Sequence, residues 1–147
     1  MRLDHYHQII KEVEDLEIDT STPSKFKKTL MKLKRKKRIL RRLKKKLMED
    51  IRDIEVDYLI KRIAIRQEIE DYEANPSTFK KLVGKDSHTL RLKALKKIEK
   101  DRETRIKPYN EIREQINKLL DDIDETLMEL TSPGSKVKKE FNPPEFR

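Results

Sequence analysis

The chain has no cysteine, no tryptophan and only two glycines among its 147 residues. Without cysteine there can be no disulfides and no thiolate metal sites, and the redox compartment is left open. Two glycines are too few for the many tight turns of an all-β fold. No apolar run approaches the ~18 residues that a membrane span needs. The first nineteen residues are acidic and amphipathic, unlike a signal or transit peptide. These absences lead to the expectation of a soluble, cytoplasmic protein.

Charge is what the chain has in abundance. Charged residues make up 44% and hydrophobic residues 34%, where ordinary soluble domains run nearer a quarter and a half. With so few aromatics, the interior must be a thin seam of Leu, Ile and Met. A narrow apolar stripe in a Lys/Glu/Arg-rich chain predicts an all-α protein built on a long antiparallel helical hairpin, a coiled coil. It reads as one helical domain over residues 1–131, with helices near 3–18, 23–73, 76–83 and 87–130.

The breaks between these helices have chemical signatures. Thr22 can cap a helix whose first position is Pro23, and no further Gly or Pro follows until Pro76. Asn75-Pro76-Ser77 repeats the device, Gly84 suits a C-cap, and Asp86 or Ser87 can cap the last long helix. The run Pro23-Ser24-Lys25-Phe26-Lys27-Lys28 recurs as Pro76-Ser77-Thr78-Phe79-Lys80-Lys81, which reads as shared helix-start chemistry before it reads as a duplication. Pro108 lies inside the last helix, removes a backbone donor and predicts a kink or break near residues 105–107. From residue 132 the chain reads as a flexible tail.

Apolar residues follow two periods. Leu40, Leu43 and Leu47, then Ile51, Ile54 and Tyr58, then Ile65 and Ile69 fit an eleven-residue repeat, with Arg62 at its polar lapse. That repeat favours a nearly straight or slightly right-handed pair. Tyr109, Ile116, Ile123 and Leu130 stand seven apart, with Ile106, Leu120 and Leu127 as a second row.

Orientation follows from charge. Residues 20–48 carry fourteen Lys/Arg and no acid, whereas residues 49–79 carry four bases and nine acids. Residues 80–107 carry eleven bases and four acids, and residues 108–131 two bases and seven acids. Antiparallel pairing sets opposite signs face to face; parallel pairing would set like against like. This register brings Leu47 near residues 113–116 and Ile65 near Leu95. The acidic residues 1–19 fit best beside the basic half, which would make a three-helix bundle there.

Little in the chain could carry catalysis. His5 and His7 lack the i, i+4 spacing of a metal pair, and His88 stands alone. Asp121, Asp122, Asp124 and Glu125 lie on a helix, where they cannot wrap a cation as a loop does. There is no phosphate-binding Gly-rich loop and no nucleophile–base pair, so no enzyme, cofactor or metal is expected.

The feature with most to explain is the basic run, which contains Lys32, Lys34, Arg35, Lys36, Lys37, Arg38, Arg41, Arg42, Lys44, Lys45 and Lys46. Even with residues 1–19 (six acids, two bases) and 108–131 packed beside it, about five positive charges remain uncompensated. Such a face suits a polyanion, above all nucleic acid held by its phosphates without sequence reading. An acidic protein surface and an anionic membrane surface follow in that order. No aromatics are interleaved, which argues against base stacking. Residues 34–38 would also match a nuclear-import cluster.

The alternative is a structural or adaptor coiled coil assembling through protein contacts. Its residues would be Val56, Leu59, Ile60 and Ile63, where the apolar face broadens beyond what a two-helix seam can bury. Phe141, Pro143, Pro144 and Phe146 would add a docking segment near the C-terminus. Either the N-terminal segment covers the broad face or a second copy does, as a homodimer.

Overall fold

The computed structural model describes residues 2–74 and 87–132. Its three helices are α1 (Leu3–Val13), α2 (Pro23–Ala74) and α3 (Ser87–Thr131). They pack together with no strand among the described residues, and no helix there is long and apolar enough to cross a membrane. The expected helix over 76–83, its Gly84 cap and the segment holding Phe141, Pro143, Pro144 and Phe146 lie outside the described residues.

Local chemistry sets the start of α2. The Thr22 hydroxyl accepts the Lys25 backbone N–H at 3.1 Å, and the Thr22 carbonyl accepts that of Phe26 at 2.9 Å. Together with Pro23 this satisfies donors that an uncapped helix start leaves unpaired. Asp19 builds the turn before it, accepting from the Ser21 N–H at 3.1 Å and the Ser21 hydroxyl at 2.7 Å. The Ser21 hydroxyl, then its backbone N–H and the Lys25 charge, hold the Asp19 carboxyl below its usual range against a smaller opposing effect of desolvation.

The first helix is shorter than its sequence period implies. It stops at Val13, not near residue 18, with the Glu14 N–H closing on the Ile10 carbonyl. The reason is tertiary. The Asp15 carbonyl accepts from the Lys36 ammonium, and Asp19 is held by Thr29 through both of its backbone groups. Thr29 donates its hydroxyl to the Asp19 carbonyl at 2.9 Å and accepts the Asp19 N–H at 3.3 Å. A continued helix would need the Asp15 carbonyl for its own ladder and would carry Asp19 away from Thr29.

Contacts divide the chain into two compact units, where the sequence reads as one domain. The first comprises Met1–Leu47 and Glu111–Arg147, and the second is Met48–Asn110. In the first unit, α1 buries Tyr6, Ile10 and Val13, while α2 buries Leu33, Leu40, Leu43 and Leu47. Here α3 contributes Ile112, Ile116, Ile123 and Leu130, also buried. An isolated eleven-residue helix is unstable in water, so α1 exists through this burial. Asp4 in its first turn and Lys11 in its last suit the helix dipole.

In the second unit Ile54, Tyr58, Ile98 and Ile106 form one apolar cluster, with Ile65 and Tyr109 packed against it. Ion pairs lie beside it, those to Glu55 and Asp57 crossing between α2 and α3 and that to Glu99 within α3. Arg102 bonds Glu55 at 2.7 Å and Glu99 at 2.9 Å, and Arg105 reaches Asp57 at 3.4 Å. Arg62, at the lapse in the apolar row, is half-buried, and its Nε is buried without a hydrogen-bond partner.

The Glu99 carboxyl is held below its usual range, chiefly by the Arg102 hydrogen bonds and then by the Arg102 and Arg62 charges, against desolvation. A carboxylate depressed in the folded state stabilises above its unfolded pKa and loses that contribution as pH falls through the folded value. Thermal stability should therefore fall as pH drops below the ordinary carboxylate value of 4.5. In Glu99→Gln that pH dependence should be shallower, as melting curves across an acid series would record.

Pro108 does not interrupt α3, which stays helical from Ser87 to Thr131. Of the kink or break expected near residues 105–107, a break is absent, because the neighbouring turns bury Ile106 and Ile112 and hold the backbone helical around the missing donor. The missing hydrogen bond still has a cost. Pro108→Ala should stabilise the protein by about 1–3 kcal/mol without loss of helix content. Chemical denaturation followed by circular dichroism would check this.

Candidate polyanion-binding face

The candidate face belongs to the first unit and is set by the helical period. Leu33, Leu40, Leu43 and Leu47 turn one side of α2 inward. At about 100° per residue, Arg38, Arg42 and Lys45 then fall on the opposite side, flanked by Lys34, Arg35, Arg41 and Lys46. All seven are exposed, as are Lys27, Lys28 and Lys32. Lys36, Lys37 and Lys44 sit beside the core and are half-buried.

Several of the expected cations are engaged within the chain, Lys46 among them. Lys36 donates to the Asp15 carbonyl, and Lys37 pairs with Asp124 of α3. Lys25 lies 3.6 Å from Asp19 at the start of α2. The outer residues Lys34, Arg35, Arg38, Arg41, Arg42 and Lys45 are left facing solvent, with no acidic residue between 20 and 48 to neutralise them. From Lys25 to Lys46 the helix rises about 32 Å, close to one turn of duplex DNA.

Three shallow grooves show how the helices of this unit adjoin. One runs between His7, Ile10, Lys11 and Glu14 of α1 and Gln115, Lys118, Leu119 and Asp122 of α3. A second lies between Glu12 and Val13 of α1 and Lys32, Arg35, Lys36 and Ile39 of α2. The third joins Met31, Lys34, Lys37, Arg38 and Arg41 of α2 to Leu127 of α3. Of the three, only this last is lined by cations without any acid, so it is the one suited to an anion.

Sequence reasoning missed the apolar part of this groove. Met31, which lines it together with Leu127 of α3, is 62% exposed. The helical angle of Met31 relative to Leu33 and Leu40 carried the signal, since it places Met31 among the outward cations.

The other candidate residues lie elsewhere. Val56, Leu59, Ile60 and Ile63 are exposed in the second unit. His5, His7 and His88 are exposed, and no group of three His, Cys, Asp or Glu residues fit to hold a metal occurs among the described residues. Comparison with known protein families, characterised proteins and solved structures finds no match to the chain.

Proposed function

We propose that this chain is a non-enzymatic helical binding module whose basic face holds a polyanion, most of all nucleic acid, through backbone phosphates. One observation carries this reading: Lys34, Arg35, Arg38, Arg41, Arg42 and Lys45 stand together on the solvent side of α2, unneutralised by acids of their own segment. Holding such charges on a preformed helix lets each phosphate contact release counterions without first ordering the chain. Sequence-independent binding is the matching mode, because no aromatic lies among these cations to stack on a base.

The pairing of helices that supports the face is, in the same proposal, an antiparallel coiled coil within each unit. The opposite signs of Lys37 and Asp124 in one unit, and of Glu55 and Arg102 or Asp57 and Arg105 in the other, support it. Each exposed pair contributes only ~0–1 kcal/mol. Their sum over the helix length still favours one orientation over the other.

Electrophoretic shift of generic duplex and single-stranded RNA and DNA over a salt series tests the function. Binding at low salt should fall steeply as salt rises, with duplexes bound at least as well as single strands. A chain that binds neither at low salt overturns the reading.

A further inference from the structure

In the second unit, the side of α2 turned away from Ile54, Tyr58 and Ile69 is apolar where a solvent face should be polar. Val56 is 46% exposed, Leu59 50%, Ile60 58% and Ile63 52%. Their spacing of three, one and three places them on a single stripe about two turns long. Four large aliphatics on one exposed stripe are a contact surface, since single scattered ones would be unremarkable and a cluster is not.

The charges bounding the stripe indicate what covers it. Arg52 and Asp53 precede it, and Arg66 and Glu70 follow it, all exposed. We infer that a second copy of this chain covers the stripe, with the two α2 segments antiparallel about a two-fold axis between Leu59 and Ile60. That axis sets Val56 of each copy against Ile63 of the other, and Leu59 against Ile60. It also sets Asp53 level with Arg66 twice over, across the stripe from each other, and brings Arg52 within a turn of Glu70. Glu49 comes opposite Glu70, with Arg52 between them in sequence to offset the repulsion.

A parallel pair would instead set Asp53 on Asp53 and Arg66 on Arg66. The two-fold antiparallel arrangement is thus the one that the charges favour, and it is isologous, as closed dimers require. Four half-exposed aliphatics cover less than the ~800 Å² per partner of a standard interface. Association should accordingly be weak, with a dissociation constant on the order of 1–100 µM.

The experiment uses the full chain. Sedimentation equilibrium over a concentration series should show a monomer–dimer equilibrium, and Leu59→Glu should weaken it at least about tenfold while circular dichroism reports unchanged helix. Asp53→Arg and Arg66→Asp should each weaken dimerisation, and the double exchange should restore it, because every opposed pair regains opposite signs. The chain has no cysteine of its own, so single cysteines report register cleanly. Leu59→Cys beside the axis should form a disulfide dimer readily. Ile63→Cys should not, since its mate lies about 10 Å away along the helices.

Crosslinking at both sites would mean a parallel pair and overturn the proposal. A monomer at every concentration would overturn it too, leaving the stripe to another protein or to another part of the chain. Neither result bears on the basic face, which is assayed separately by nucleic-acid binding.

Discussion

Reversing three charges on the outer side of α2, Arg38→Glu, Arg42→Glu and Lys45→Glu together, is expected to abolish nucleic-acid binding at physiological salt. The first unit's helices, including residues 1–19, carry a surplus of about five positive charges, and the triple change removes six. The face therefore changes sign instead of merely weakening. Glutamate is a good helix former, and all three positions are exposed, so α2 should persist. Six phosphate contacts would give a log–log salt slope near −5 for the unaltered chain, from about 0.9 per contact. The corresponding triple alanine change should halve that slope and cost about 10²–10³ in affinity. Lys93→Glu with Lys96→Glu, exposed cations of the second unit, should leave both slope and affinity close to unchanged. Fluorescence anisotropy with a generic duplex over a salt series measures all of these. Equal losses from the two sets of changes would sink the assignment of binding to α2's outer face.

Tyr6→Ala is expected to be the most damaging single change in the first unit. Tyr6 is fully buried although it belongs to a helix of only eleven residues. Such a helix has no stability of its own, so its docking rests on Tyr6, Ile10 and Val13. Removing a buried aromatic costs about 3–5 kcal/mol, including the cavity it leaves. For a chain of this size, that should lower the melting temperature by about 10 °C or more. Ile9→Ala, at a half-buried neighbour on the same helix, should cost well under half as much. Differential scanning calorimetry would compare the two, and equal effects would show that α1 is not anchored through Tyr6.

The two predictions are linked through α1. Its segment carries six acids against two bases, and the Asp15 carbonyl already occupies Lys36. The docked helix thus both completes the packing of α2 and lowers the charge beside it. Lys34, Arg35, Arg38, Arg41, Arg42 and Lys45 remain exposed on the outer side of α2.

Much of this was legible from residues alone, for a stated reason. Along a long helix the side-chain direction is fixed by position in the turn, so the spacing of Leu40, Leu43, Leu47, Ile54 and Tyr58 already told which side is inward. All five are buried. The cap at Thr22 and Pro23 is local chemistry, decided within four residues, and it appears as hydrogen bonds to Lys25 and Phe26. The excess of positive charge is a count and depends on no fold. Likewise the breadth of the apolar face around Val56 to Ile63 exceeded what a pair of helices can cover, and those residues are exposed.

Tertiary structure alone decided the rest, wherever one segment's backbone or charge is claimed by another far away in sequence. Nothing local stops α1 at Val13. The claims of Lys36 on the Asp15 carbonyl, 21 residues on, and of Thr29 on Asp19 do. Lys36 and Lys37 look identical to their neighbours in sequence, yet both are engaged within the chain while Arg38 faces solvent. Pro108 reads as a kink or break, and with packing at Ile106 and Ile112 the helix runs through it without a break. Composition and period fix what each helix offers. Which of those groups stay available to a partner is settled only when the helices meet, because burial and pairing are properties of the contact.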